Sequence, residues 1–128
     1  MVNYIAIVVA AVAGFAFGAV WYMALGKVWM ATLGMTEQPK PKPAPFIIAF
    51  IAQLIMAWML AGALGHLGDV SVLAGLVTGA LLWVGFVATT LVVNHRFQGA
   101  KWSLTVVDGG HWLGVLLIMG LVLGLFGV

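Results

Sequence analysis

"LTVVDGGHWLGVLLIMGLVLGLFGV" fills positions Leu104 to Val128. The stretch holds no Lys or Arg, one acid (Asp108) and one imidazole (His111). A helix rises about 1.5 Å per residue and a bilayer's hydrocarbon core is about 30 Å thick, so about 20 such residues cross it. The stretch lacks the polar–apolar alternation of a membrane strand. In lipid, a helix is the one unclosed structure that satisfies its own backbone hydrogen bonds. The segment reads as a transmembrane helix with an acid and an imidazole inside it.

Three further apolar stretches precede it, at Val2–Leu25, Phe46–Leu64 and Val70–Val93. The whole 128-residue chain is 65% hydrophobic and 6% charged, where a soluble domain carries about 25% charged residues. So few charges cannot cover a water-facing surface. The expected fold is all-α: one integral membrane four-helix bundle, a single domain over 1–128. The amino-terminal stretch has no Lys or Arg ahead of its apolar run, unlike a secretory signal, and reads as a retained span. The absence of cysteine excludes disulfides, thiolate metal sites and cysteine nucleophiles. Five Lys and Arg in all are too few for a nucleic-acid surface, which needs a clustered basic stripe.

The connections are unequal. Residues 26–45 form the long one and end in "EQPKPKPAP". Repeated prolines favour an extended strap, after a short amphipathic piece at Lys27–Leu33. Gly65–Asp69 reads as a tight turn, with Asp69 or Ser71 available to cap the third helix. Asn94–Ser103 reads as a polar loop containing His95 and Arg96. Lys27, Lys40, Lys42, Arg96 and Lys101 fall in the first and third connections. Those share one side of a four-span protein, and the positive-inside rule assigns that side to the cytoplasm. Both termini are then expected outside, in a bacterial inner membrane. Lys40 and Lys42 could meet anionic headgroups.

Small residues recur at four-residue spacing. Ala6, Ala10, Gly14 and Gly18 mark the first helix, Ala57, Ala61 and Gly65 the second, Gly75 and Gly79 the third, Gly120 and Gly124 the fourth. Such stripes let helix backbones approach closely in lipid. They serve either packing within one bundle or contact with another subunit, and a homo-oligomer is expected. Trp21, Trp29 and Trp102 fall near the basic side, where indoles suit the headgroup region. Trp58 and Trp83 lie deeper and read as packing residues.

Two readings of Asp108 stand side by side. In one, Thr105-Val-Val-Asp108 is a capping box at the start of the fourth helix, with the carboxylate near the interface and paired with Arg96 or Lys101. In the other, depth matters. Tyr22, Gln53, Asn94, Asp108 and His111 all fall in the basic-side half of their helices, beside Thr89 and Thr90. Charge in mid-membrane costs at least about 2.5–3.5 kcal/mol on insertion scales, so such groups face one another. Asp108 and His111, three apart, project from one face. A layer built of these five residues could bind a proton, a cation or a small polar ligand, since imidazole titrates near neutrality. It could also simply pin the helices together. The histidines lack the i, i+4 spacing of a helical zinc site, so no metal is expected. No serine beside a base and no phosphate cradle is present, so no enzyme activity and no cofactor are expected either.

"WYMALGKVW" (Trp21–Trp29) and "NHRFQGAKW…DGGHW" (Asn94–Trp112) together resemble the bacterial small membrane proteins grouped as domain of unknown function 1761. The resemblance covers most of the chain. It departs after Tyr22, where Met23-Ala24-Leu25 replace a Ser-Pro and longer turn. It implies the four-span topology and carries no activity, cofactor or substrate. The function expected is that of a structural or accessory membrane protein that self-associates or organises partners or lipids. The alternative is a small transport or permeation protein using the polar layer.

Overall fold

The computed structural model describes residues 2–128 of the chain. Its elements are all helical: α1 (Tyr4–Ala24), α2 (Gly26–Thr32), α3 (Pro43–Leu67), α4 (Val72–Leu82), a π-helical segment (Trp83–Ala88), α5 (Thr89–Phe97) and α6 (Trp102–Phe126). α4, the π segment and α5 run on as one span, Val72–Phe97, so four helices are long and apolar enough to cross a membrane. The protein is a four-helix membrane bundle.

Local chemistry sets the helix ends. Asn3 caps α1 by accepting from the Ala6 amide at 3.0 Å, and Ser71 caps α4 by accepting from the Ala74 amide at 3.0 Å. α3 begins at Pro43, three residues earlier than its apolar pattern, because proline suits a first helical turn whose amides have no partner. The extended strap therefore ends at Lys42. α3 stops at Gly68, whose φ of 77° lies in the left-handed region that glycine adopts freely.

The spans alternate in direction. α6 packs between α1 and α4, and α3 packs against α1. The core runs along these contacts: Leu60 and Leu64 of α3 and Val115, Met119 and Leu123 of α6 are fully buried. Ala6, Ala10 and Ala11 of α1 and Ala57 and Ala61 of α3 are also buried, which brings α1 and α3 close. Between α4 and α6 the approach is closer still. A Cβ on Gly75 would strike the carbonyl of Gly120, one on Gly79 the carbonyl of Leu116, and one on Gly124 the carbonyl of Ser71. These glycines bring backbone against backbone within the chain. Trp58, expected to be a packing residue, is instead 51% exposed.

The π segment decides which face of the third span meets α6. An α-helix turns about 100° per residue. A continuous α-helix from Gly79 would aim positions 86, 90 and 97 at α6. The wide turn at Trp83–Ala88 takes up one extra residue and rotates α5 by about that angle. Phe86 is thereby 70% exposed and Phe97 90% exposed, while His95 is buried at 7%. The hydroxyls of Thr89 and Thr90 accordingly point away from the bundle and donate to their own helix, at the carbonyls of Gly85 and Phe86.

Candidate functional site

The polar residues of the spans gather at the end of the bundle that holds all five basic residues. Asp108 is the centre. It lies about 9 Å along α6 from Trp102, at about 1.5 Å per residue. The Tyr22 hydroxyl of α1 donates to Asp108 Oδ1 at 2.6 Å. From the other side, His95 of α5 brings Nε2 to 3.9 Å from Asp108 Oδ2, too far for a hydrogen bond but within ion-pair range. His95 Nδ1 lies 2.7 Å from Thr105 Oγ1, and Arg96 Nη2 donates to that same oxygen at 2.9 Å. A continuous polar chain thus runs Tyr22–Asp108–His95–Thr105–Arg96 across three spans.

Hydrogen-bond chemistry orients the chain. Arginine is a donor only, so Arg96 occupies one lone pair of Thr105 Oγ1. The Thr105 hydrogen is then free to point at His95 Nδ1. A neutral imidazole in that state carries its proton on Nε2, which faces the Asp108 carboxylate. A protonated imidazole also presents an Nε2 hydrogen there.

A tight helical hairpin positions His95 and Arg96. Gly99, at φ 70°, turns the chain, and the Ala100 amide donates to the His95 carbonyl at 2.9 Å. Arg96 Nη2 also donates to the Ala100 carbonyl at 3.1 Å, and the guanidinium stacks 3.5 Å from the Trp102 ring centroid. One side chain therefore ties the hairpin turn, the start of α6 and Thr105 together.

Aromatic rings wall the site, and the glycines of "DGGHWLG" admit them. Trp21 of α1 lies against Gly110 and donates from Nε1 to the Val107 carbonyl at 3.0 Å. Trp83 opens the π segment and donates to the Gly109 carbonyl at 2.8 Å. Phe17 lies against Gly114. The His111 ring sits 4.9 Å from Tyr22 and 4.5 Å from Trp112, centroid to centroid. Trp29 of α2 meets Tyr22 edge-on at 6.1 Å, so the short helix lies over this end of the bundle.

Several expectations change. Asn94 is exposed and outside the layer, because the π turn rotates His95 into the place it was given. His95, read as a solvated loop residue, is buried, and the expected loop from Asn94 shrinks to Gln98–Lys101. The capping box fails because α6 starts at Trp102, which places Thr105 and Asp108 inside the helix. Thr105 turns to His95 and Arg96 instead. Asp108 pairs with Tyr22 and His95 rather than with Arg96 or Lys101. Thr89 and Thr90 leave the layer. Gln53 is buried at 2% exposure, but lies against Gly14, where Val115 and Met119 also pack, and makes no hydrogen bond to Asp108. Gly18 faces the His111 ring. Tyr22, Asp108 and His111 do come together. Among the described residues, no group of three His, Asp or Glu stands close enough to hold a metal ion.

The profile of a family described as "Protein of unknown function (DUF1761)" matches residues 5–124. The chain belongs to that family. The matched region takes in all four spans of this DUF1761 protein, with Tyr22, His95, Thr105 and Asp108 within it. No curated protein and no solved structure matches the chain.

Proposed function

We propose that this DUF1761 protein binds a proton or a small polar solute at the Asp108 layer and serves in its transport or permeation. The observation that carries the reading is the Asp108 carboxylate inside a membrane span, held between a phenol from α1 and an imidazole from α5. Its side chain is only partly buried, with 22% of its surface exposed.

The geometry supports this reading over a purely structural or accessory role. A cluster selected only to pin helices gains most when every polar atom is paired, since each buried unpaired group costs about 1–3 kcal/mol. Here Arg96 Nη1, His111 Nδ1 and Gln53 Oε1 are buried without a hydrogen-bond partner among the described residues. Five basic residues at the same end give that end to the cytoplasm under the positive-inside rule. Lys40 and Lys42, exposed on the strap, then face the anionic inner leaflet.

The test uses the full chain in liposomes and in detergent. Wild-type protein should show a thermal shift that depends on pH or on an added cation or small polar solute. Asp108→Asn and His95→Ala should abolish that shift while helix content and monodispersity hold. If no condition shifts the wild type while both variants stay folded, the layer is structural and the accessory role takes its place.

A further inference from the structure

Three groups around His95 decide what the Asp108 layer can hold. On one side of the ring, Nδ1 lies 2.7 Å from Thr105 Oγ1. That oxygen already accepts from Arg96 Nη2 at 2.9 Å. A hydroxyl has one hydrogen and two lone pairs, so its hydrogen is left for Nδ1. A neutral His95 then carries its own hydrogen on Nε2. On the other side, Nε2 stands 3.9 Å from Asp108 Oδ2. Asp108 Oδ1 is occupied separately, by the Tyr22 hydroxyl at 2.6 Å.

These positions separate a proton from larger ligands. A cation shared by the two side chains needs a lone pair on Nε2, which bears hydrogen instead. A polar solute joined to both atoms by hydrogen bonds of about 2.8 Å, at a tetrahedral angle, holds them about 4.6 Å apart. The gap is only 3.9 Å. The flanks fit closely as well: a Cβ on Gly110 would lie 2.8 Å from Trp21, and one on Gly18 would lie 2.7 Å from His111. A proton needs no room of its own. An approach of about 1 Å brings Nε2 and Oδ2 into hydrogen-bond range.

The polar chain is open at one end. Arg96 has donors and no acceptor, so no proton passes along it beyond Thr105. At the other end the Asp108 side chain keeps 22% of its surface exposed. The further titratable or charged groups facing the pair are Tyr22 of α1 and Arg96 of α5. His111 of α6 packs on the Tyr22 ring at 4.9 Å. Lys27 of α2 is exposed, α4 and the π segment carry no titratable side chain, and that of α3, His66, lies in its last turn, at the far end.

We infer that the ligand of the layer is the proton, held by the Asp108–His95 pair and exchanged on the Asp108 side, with Thr105 positioning the ring so that Nε2–H faces the carboxyl. The inference deepens the transport reading above and rests on it for what the proton does next. The pair takes up one proton as a unit. In its imidazolium form Nδ1 also bears hydrogen, and the Thr105 hydroxyl turns from donor to acceptor.

Solid-state NMR on the full chain in lipid bilayers, reading the His95 ring nitrogens and the Asp108 carboxyl carbon across pH, tests it. At high pH the wild type should show the Nε2–H tautomer. As pH falls, one titration step should appear at both ring and carboxyl, and Asp108→Asn should move the step at His95. Thr105→Val should lose the Nε2–H preference, and Thr105→Ser should keep it. Sodium, potassium or glycerol at fixed pH should leave both signals in place. An Nδ1–H tautomer in the wild type overturns the geometry without any variant. An Asp108→Asn protein with an unmoved His95 step overturns the shared site. Signals that follow sodium, potassium or glycerol give the layer to a cation or solute instead. A Thr105→Val protein that keeps the Nε2–H tautomer removes Thr105 from its positioning role. Proton flux into dye-loaded liposomes is read in parallel. A shared step without Asp108-dependent flux supports the proton site and removes its transport role. A solute-dependent thermal shift without a shared step overturns the proton and leaves the transport reading standing.

Discussion

The Tyr22 hydroxyl meets Asp108 Oδ1 at 2.6 Å, joining the first span to the last across 86 residues of sequence. It lies in a half-buried place, and it fixes one side of the only acid in α6. Hydrogen bonds between membrane helices average about 0.6 kcal/mol and reach about 1.7 kcal/mol. The Tyr22–Asp108 bond belongs at the upper end, because at 2.6 Å it is short for an O–H···O bond. Tyr22→Phe should destabilise the bundle by about 1–2 kcal/mol. A double-mutant cycle with Asp108→Ala, which removes the acceptor, read by reversible unfolding in mixed micelles, should give a coupling of similar size. A coupling near zero would mean that the phenol and the carboxylate do not interact in the folded protein.

Arg96 performs three tasks that a lysine cannot combine. It donates to Ala100 and Thr105 and sits over the Trp102 ring. The guanidinium is a planar fork that stacks on aromatic faces, whereas the ammonium is a compact charge. Arg96→Lys preserves charge and should still cost about 1 kcal/mol, from the stacking alone. Trp102 emission should shift as its ring loses the cation. Unchanged stability and emission would show that the hairpin holds without this clamp.

The residues that mislead are those around the hairpin and the wide turn. Four spans follow from hydropathy and length, because lipid enforces both. Asp108 and His111 could be found because ionisable groups are conspicuous in apolar helices. Tyr22 could be placed by depth. Asn94 enters the layer by depth and His95 falls in a loop by polarity, and neither criterion says which face of the span turns inward; nothing in "WVGFVA" announces the π segment that sets it. Thr105 fitted a capping box, and only the start of α6 at Trp102 removes it from that role. A clue to His95 was available in Gly99: a glycine turn at Gln98–Lys101 folds α5 back along α6 and sets position 95 opposite Thr105.

The glycines separate by what they face. Gly75→Ala puts a Cβ against the backbone of Gly120, which cannot swing aside. Overpacking of this kind costs about 1–3 kcal/mol, and more where backbone must move. Gly62 meets nothing within 4 Å, so Gly62→Ala should be neutral or gain up to about 1 kcal/mol from helix propensity. Thermal unfolding in detergent compares them directly. Gly75→Ala should lower stability without altering oligomeric mass, because its stripe is used within the chain. A change of mass with stability intact would assign the stripe to contact between copies.

The last prediction concerns the wide turn itself. The extra residue at Trp83–Ala88 rotates α5 by about 100°, the turn per residue of an α-helix. Deleting Gly85, whose Cα faces open space, lets the third span run on in α-register. Residues after the deletion then rotate back by about one residue's turn, which carries His95 and Arg96 away from α6. The deletion removes no apolar side chain and no charge, so the span still inserts and helix content should hold. What should disappear is everything that depends on His95 facing Asp108: the pH- or solute-dependent thermal shift, and a crosslink between cysteines placed at positions 95 and 105 of this cysteine-free chain. The Tyr22–Asp108 coupling should survive, since it involves only α1 and α6. If the crosslink forms as well after the deletion as before it, the packing of α5 rather than the π turn sets which face meets α6.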